Sequence, residues 1–293
     1  QLHRHTVRHR KTALHRQKIT TTLLSCGADI IEINTIRKRL SAVKGGKFAM
    51  HCAPANVFTI ALSDVLGDRP DSIASGPTCP DETTCADALK ILDKYHIHPK
   101  NPHIMRCLQT ETPKFLSNVK TEITGSVNLL CAAAAQKAQM LGYHPIILTT
   151  NLTCEAKEAG KFLASIAKTI SQKQSTLPMP CAIICGGETV VHVTGNGKGG
   201  RNQEVALAAA EDLAGLENTV LAAIGSDGTD GPTDAAGGIC DGTTKERLMR
   251  AGFSIPQVLE HNDAYTALSA IDSLIFTGPT GTNVNDLYFL LCK

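Results

Sequence analysis

Short apolar runs alternate along this chain with longer helical stretches, and that alternation restricts the fold more than any single motif. Phe58-Thr59-Ile60-Ala61-Leu62 reads as a buried strand ending in Ser63-Asp64. Cys131 to Leu141, rich in Ala, reads as a helix stopped by Gly142. Pro145 to Leu148 follows as a strand, Glu155 to Ile170 as a helix, and Ala182 to Ile184 as a strand ending in Gly186-Gly187-Glu188. Thr189 to Val193 reads as a further strand, Val205 to Leu213 as a helix, Val220 to Ile224 as a strand and Asp286 to Leu291 as the last strand. Strands separated by helices are most simply packed as β-α-β units. The expected fold is therefore α/β, with mainly parallel sheets flanked by helices. A mixed helical region gives way to regular alternation near Thr121, which divides the chain into residues 17–120 and 121–293.

Composition narrows the function classes. Lys plus Arg exceed Asp plus Glu by only two, so neither nucleic acid nor membrane is expected as a partner. No apolar run approaches the ~20 residues needed to cross a bilayer. Eleven cysteines without a CxxC pair read as reduced thiols in an intracellular protein. Residues 1–20 hold six Lys or Arg, four His and no acid. Residues 1–16 are read as a solvated basic arm foreign to the fold.

Four polar, Gly-rich clusters carry the candidate chemistry. Each directly follows a predicted strand, the position at which open α/β sheets bind ligands. The first runs from Ser63-Asp64 to Ala74-Ser75-Gly76-Pro77-Thr78; Asp64 could accept a hydroxyl proton or hold Mg²⁺, or simply cap a turn. The second is Gly186-Gly187-Glu188-Thr189, where glycines allow a ligand close to the backbone. The third, Gly195 to Glu204, opens a helix, so its N–H groups with Lys198 and Arg201 form a candidate anion site. The fourth, Gly225 to Gly237, carries Asp227, Thr229, Asp230 and Asp234. Its spacing does not fit an EF-hand, and suits a Mg²⁺–nucleotide or polyol site better. His192 is read as a packed strand residue. HExxH and GxSxG are absent, which removes the usual support for a metalloprotease or an α/β-hydrolase.

In combination these segments resemble the class II glycerate 2-kinases. Asn34-Thr35-Ile36-Arg37-Lys38, Lys44-Gly45-Gly46, Ser63 to Asp68 and Ala74 to Thr78 are similar to that family's N-terminal-type domain. Gly186-Gly187-Glu188, Gly199 to Glu204, the Gly225–Gly237 loop and Thr280-Gly281-Thr282-Asn283-Val284 are similar to its C-terminal MOFRL module, at about 180–291. The resemblance implies two α/β domains with the active site in the cleft between them, ATP and Mg²⁺ as cofactors, and phosphorylation of D-glycerate at its 2-hydroxyl. It implies catalytic roles for Asp64, Glu188, Arg201 and Asp227. Lys44, Ser75, Gly76, Gly187, Gly200, Asn202, Thr229, Asp230, Thr282 and Asn283 would contact substrate or nucleotide, and Asp64 and Asp227 would hold metal. Either of those two acids could be the base.

Family members also begin with a Gly-Gly-Gly-Ser loop and a functional Lys, which this sequence lacks. The resemblance thus implies an N-terminally shortened chain with an incomplete first domain. Cys154 stands where the family has Gly, and Gly125-Ser126-Val127-Asn128 replaces a Gly-Ser-Asn turn. A cytoplasmic location is expected, with a mitochondrial one and a homodimer left open. Two other functions are weighed: a hydroxypyruvate or tartronate reductase, opposed by the absence of GxGxxG, and a non-catalytic module binding carboxylates or nucleotides.

Overall fold

The computed structural model describes residues 17–293, so the basic arm read over 1–16 lies outside the described residues. Two compact units are present. The first comprises the described residues up to Ala61 together with Arg69–Thr124; the second comprises Leu62–Asp68 and Gly125–Lys293.

The first unit is mainly helical. It contains α1 (residues 17–25), α2 (Ile30–Leu40), α3 (Lys47–Cys52), α4 (Cys85–Lys94) and α5 (Pro102–Leu108). Local signals explain several helix starts. Asp29 with Glu32, and Thr84 with Asp87, form capping boxes that satisfy the first N–H groups of α2 and α4. Asn101 caps α5, whose first residue is Pro102. The core joins Ile19, Leu23, Ile33, Ile36, Leu40, Leu92, Ile104 and Leu108. Strands β1 (Val57–Leu62) and β2 (Val119–Gly125) pair as a two-stranded sheet.

A buried ionic cluster sits beside that core. Lys38 Nζ lies 3.0 Å from Asp71 and 3.3 Å from Asp81, and Arg39 Nη1 lies 3.5 Å from Asp81. The Thr112 hydroxyl donates to Asp81 at 2.8 Å. Burial alone would push the Asp81 carboxyl upward, but the Thr112 bond, the Lys38 charge and Thr83 outweigh it and hold the group below the ordinary carboxylate range.

The second unit is built on a six-stranded sheet ordered β3-β4-β8-β5-β6-β7. Its strands are β3 (His144–Leu152), β4 (Cys181–Gly187), β5 (Thr219–Gly225), β6 (Gly237–Asp241), β7 (Leu274–Ile275) and β8 (Asp286–Cys292). Its helices are α6 (Val127–Met140), α7 (Ala156–Ser171), α8 (Arg201–Leu213), α9 (Thr244–Arg250), α10 (Ile255–Glu260) and α11 (Ala264–Ser269). The flanking of sheets by helices agrees with the α/β expectation; the expected mainly parallel pairing does not hold. β3 pairs with β4 in parallel, whereas β4–β8, β8–β5, β5–β6 and β6–β7 are antiparallel. The physical reason is the return of the chain's last strand. β3, β4 and β5 do point the same way, as their intervening helices require, but β8 enters between β4 and β5 in the opposite direction.

Both faces of this sheet are covered, which is why β4 reads as an unbroken apolar run and is buried along its whole length. Alternate residues of β8 serve the two sides. Leu287 and Phe289 pack with Val127 and Cys131 of α6, while Tyr288, Leu290 and Cys292 join the larger core under α7 and α8. α8 is buried almost all round, and its Ala206, Ala208, Ala209 and Ala210 give the narrow profile that position needs. Close packing of α7 on α8 depends on Gly160, where an added Cβ would stand 2.3 Å from the Val205 carbonyl.

Three sequence expectations fail locally. The strand over residues 58–62 forms, but it is not buried: Phe58 and Ile60 are 74% and 78% exposed. Thr189–Val193 is not a strand; the chain leaves the sheet after Gly187, and Val190 forms only an isolated bridge with Glu155. His192 therefore lies in a loop, exposed, rather than packed in a strand. All eleven cysteines are free thiols. No described helix is long and apolar enough to cross a membrane.

Candidate active site

The ends of β4 and β5 and the start of the antiparallel β8 meet at one edge of the sheet in the second unit. In register, Asp286 stands opposite Gly187 on one side and Gly225 on the other. Glycine on both flanks leaves space around the Asp286 carboxylate. The first residue of α8, Arg201, reaches into that space. Its Nε and Nη2 donate to Asp286 Oδ2 and Oδ1 at 2.5 and 3.1 Å, and its Nη1 donates to Glu188 Oε1 at 2.8 Å. Burial disfavours charge on the guanidinium, but the hydrogen bond and charge of Asp286 and the charge of Glu188 more than offset it, so its pKa is raised.

Arg201 and Glu188 line a cavity of about 900 Å³ together with Gly200, Asp227, Thr229, Asp230 and Asn283. The arrangement brings seven sequence-predicted residues to one concavity. Asp227 sits on the turn after β5, where its Oδ1 accepts the Thr229 N–H at 3.0 Å. Asp64 adjoins through its backbone: its carbonyl accepts from Asn285 Nδ2 at 3.0 Å, and the same amide donates to Glu188 Oε2 at 3.3 Å. The Asp64 side chain is exposed and does not line the cavity. Gly187 lies at the end of β4 against Leu152, whose carbonyl an added Cβ would approach to 2.2 Å. Thr282 bonds only within its own turn, to Thr280.

The helix N-terminus expected to take an anion already holds one. Asp230, 3% exposed, accepts from Asn202 N at 3.1 Å, Gln203 N at 2.8 Å and Asn202 Nδ2 at 3.2 Å. It is an internal cap for α8, delivered from the β5 loop. Gly200 permits this, since a Cβ there would stand 2.3 Å from Asp230 Cγ. Lys198, the other expected phosphate cation, lies over the Tyr265 ring at 4.1 Å. Lys44, Ser75 and Gly76 belong to the first unit, where Gly45 N donates to Ser75 O and Gly46 N to Gly76 O, and Lys44 Nζ donates to the Ala74 carbonyl. Ala74, Ser75 and Gly76 are all left-handed, a strained run for two non-glycine residues.

Burial pushes Asp230 up to about 6, beyond what its two backbone donors offset. A raised folded-state value means that the native protein binds this proton more tightly than the unfolded chain. The Asp230 contribution to stability is therefore greatest below the ordinary aspartate range and declines as pH rises through about 6. A carboxyl-carbon NMR titration of Asp230 is expected to give a midpoint near 6; an ordinary aspartate midpoint would contradict the assigned burial.

Comparison with known proteins places the chain in a family. Residues 181–286 match the MOFRL family, and residues 9–109 match a domain of unknown function, DUF4147. The second match begins ahead of Gln17, within the arm expected to lie outside the resemblance. A D-glycerate 2-kinase of Thermotoga maritima is 55% identical over 271 residues, covering 92% of this chain and 65% of that protein. A glycerate 2-kinase of Pyrococcus horikoshii is 45% identical, covering 94% of this chain and 64% of that protein. The crystal structure of a Thermotoga maritima glycerate kinase superimposes with a TM-score of 0.92 at 54% identity, covering 95% of this chain and 67% of that one. This chain belongs to the class II glycerate 2-kinase family.

The chain spans 65% of the length of the Thermotoga maritima enzyme and 64% of that of the Pyrococcus horikoshii enzyme. Within the family frame, the residues that sequence reasoning missed are Asp286, Asn285 and Tyr288. Asp286 is 1% exposed and Tyr288 is fully buried, with the tyrosine hydroxyl 3.2 Å from Asp286 Oδ2 and 3.1 Å from the Thr189 hydroxyl. The metal expectation is not matched by a preformed cage. Among the described residues, no three His, Cys, Asp or Glu side chains gather to hold a cation. Glu188 and Asp286 are both committed to Arg201.

Proposed function

We propose that this chain carries the phosphoryl-transfer site of a glycerate 2-kinase, moving the γ-phosphoryl of ATP to the 2-hydroxyl of D-glycerate. The observation that carries the reading is Arg201, held on Asp286 and Glu188 at a cavity that also presents Asp227. Phosphoryl transfer depends mainly on positioning and on neutralising negative charge, and a fixed guanidinium supplies both. The glycerate carboxylate or the transferring phosphoryl engages Arg201. Asp227 takes the 2-hydroxyl proton in this reading, because its residue lines the same cavity whereas the Asp64 carboxylate does not. Mg²⁺, when bound, would shield the phosphate charge; of the acids lining the cavity, Glu188 pairs with Arg201 and Asp230 caps α8, which leaves Asp227 and Glu204 to share it. Thr229, Gly200 and Asn283 shape the surrounding wall. Asp230, Asn202 and Gly187 act indirectly, by building the start of α8 and the end of β4. Lys44, Ser75, Gly76 and Thr282 keep their proposed substrate or nucleotide roles from the family resemblance. Eleven free thiols are consistent with a reducing compartment, the cytoplasm.

A coupled assay for ADP, run with D-glycerate and MgATP, tests the reading. Glycerate-dependent ADP formation supports it. NADH oxidation with hydroxypyruvate in place of ADP release would favour a reductase, and calorimetric binding of glycerate without turnover would favour a non-catalytic module.

A further inference from the structure

Arg201 is held by two carboxylates of unequal permanence. Asp286 is on the central strand, its side chain is 2% exposed, and it takes the guanidinium as a two-pronged fork. Tyr288 braces it from the buried side, and Thr189 braces Tyr288 through its hydroxyl and through its N–H at 3.3 Å. Glu188 differs. Its side chain is 47% exposed, it makes one bond to Arg201, and its other oxygen keeps Asn285 as a partner. A guanidinium has five N–H donors. Asp286 and Glu188 occupy three of them, leaving one on each terminal nitrogen.

We propose that Asp286 is the positioning residue that fixes which edge of Arg201 is presented, and that Glu188 is a placeholder displaced by the incoming substrate anion. The inference rests on the kinase reading only in naming that anion as the glycerate carboxylate or a phosphoryl group. The fork on Asp286 sets the plane of the guanidinium, which no single contact could do. Glu188 satisfies the remaining charge while the site is empty. When an anion arrives, Glu188 gives up its bond to Nη1 and stays tethered by Asn285, so that Arg201 remains paired throughout.

The two carboxylates should then respond to neutralisation in opposite directions, which a purely structural role would not produce. Calorimetric titration of the full chain with D-glycerate, and separately with inorganic phosphate, provides the readout. Asp286→Asn replaces one prong of the fork with a donor and should weaken both anions about tenfold or more. Glu188→Gln removes the competing charge and should tighten both by roughly threefold or more. Tyr288→Phe keeps the Asp286 charge but loses its brace, and should weaken both by roughly threefold. Should Asp286→Asn fail to fold, the tightening in Glu188→Gln and the loss in Tyr288→Phe still decide the matter. Unchanged affinity in Asp286→Asn, or weakening in Glu188→Gln, would overturn the proposal, as would failure of the unmodified chain to bind either anion. Phosphate affinities that shift in these opposite senses while D-glycerate does not bind would uphold the roles of both carboxylates and defeat the glycerate assignment.

Discussion

Replacing Arg201 with alanine is expected to lower kcat/KM for D-glycerate by about a thousandfold or more, the range typical of an arginine that stabilises a transferring phosphoryl group. The loss should not be confined to activity. Arg201 opens α8 and pairs with the nearly fully buried Asp286. Alanine leaves that carboxylate with Tyr288 as its remaining side-chain partner, so a measurable drop in thermal midpoint should accompany the kinetic loss. Arg201→Lys separates the two effects. It keeps a positive charge near Asp286 but cannot form the fork, so stability should largely return while kcat/KM stays at least roughly tenfold down. Steady-state kinetics and thermal denaturation on the two variants check both parts. Full activity in either variant would contradict the assigned role.

In the first unit, Asp81→Ala should destabilise the protein by about 3–5 kcal/mol, because it leaves buried cations without their shared counter-ion. Lys38 and Arg39 are 3% and 1% exposed, and both reach Asp81. Lys38 retains Asp71, but Arg39 has only hydrogen bonds with Thr35 and Thr83 and a 3.5 Å approach to Glu111. Denaturant titration of the wild type and the variant measures the gap. Its pH dependence has a definite sign. A carboxyl depressed in the folded state stabilises above its unfolded pKa and loses that contribution as pH falls through the folded value. The gap should therefore be full near neutrality and narrow on acidification. A gap that widens in acid, or one below about 1 kcal/mol at neutral pH, would show that the cluster is not held by this charge.

Local signals in the sequence reached some parts of the fold and missed others for identifiable reasons. β4 was legible because a strand covered on both faces has to be apolar throughout, and Cys181–Cys185 is. α7 was legible from its helical periodicity of apolar residues. β6 was not, because it begins with Gly237-Gly238, a turn signal in isolation. Those glycines are demanded by packing that only the sheet creates: a Cβ on Gly237 would stand 1.9 Å from the Ala223 carbonyl. The direction of β8 also had no local signature, so the antiparallel insertion between β4 and β5 could not be read from the alternation that located β3, β4 and β5.

The same division applies to the candidate site. Glu188, Arg201 and Asp227 were legible because each stands beside glycines at a strand end or helix start, and all three line one cavity. Asp286 carries no such mark. It is the first residue of a strand, and its importance comes from register, opposite Gly187 and Gly225. Asp230 shows the converse. Its Gly- and Asp-rich surroundings resemble a ligand loop, yet its carboxylate is turned inward to cap α8. Charge and glycine content mark where an anion could sit; they do not say whether the protein supplies that anion itself.

In the proposed mechanism Arg201, held by Asp286 and partly released by Glu188, receives the substrate's negative charge. A crystal structure of the protein with D-glycerate and a non-hydrolysable MgATP analogue tests it most directly. The expected result is a glycerate carboxylate or γ-phosphate oxygen within hydrogen-bonding distance of an Arg201 terminal nitrogen, with the Asp286 fork intact and Glu188 moved off Nη1. Both ligands bound away from Arg201, with Glu188 still in place, would contradict it.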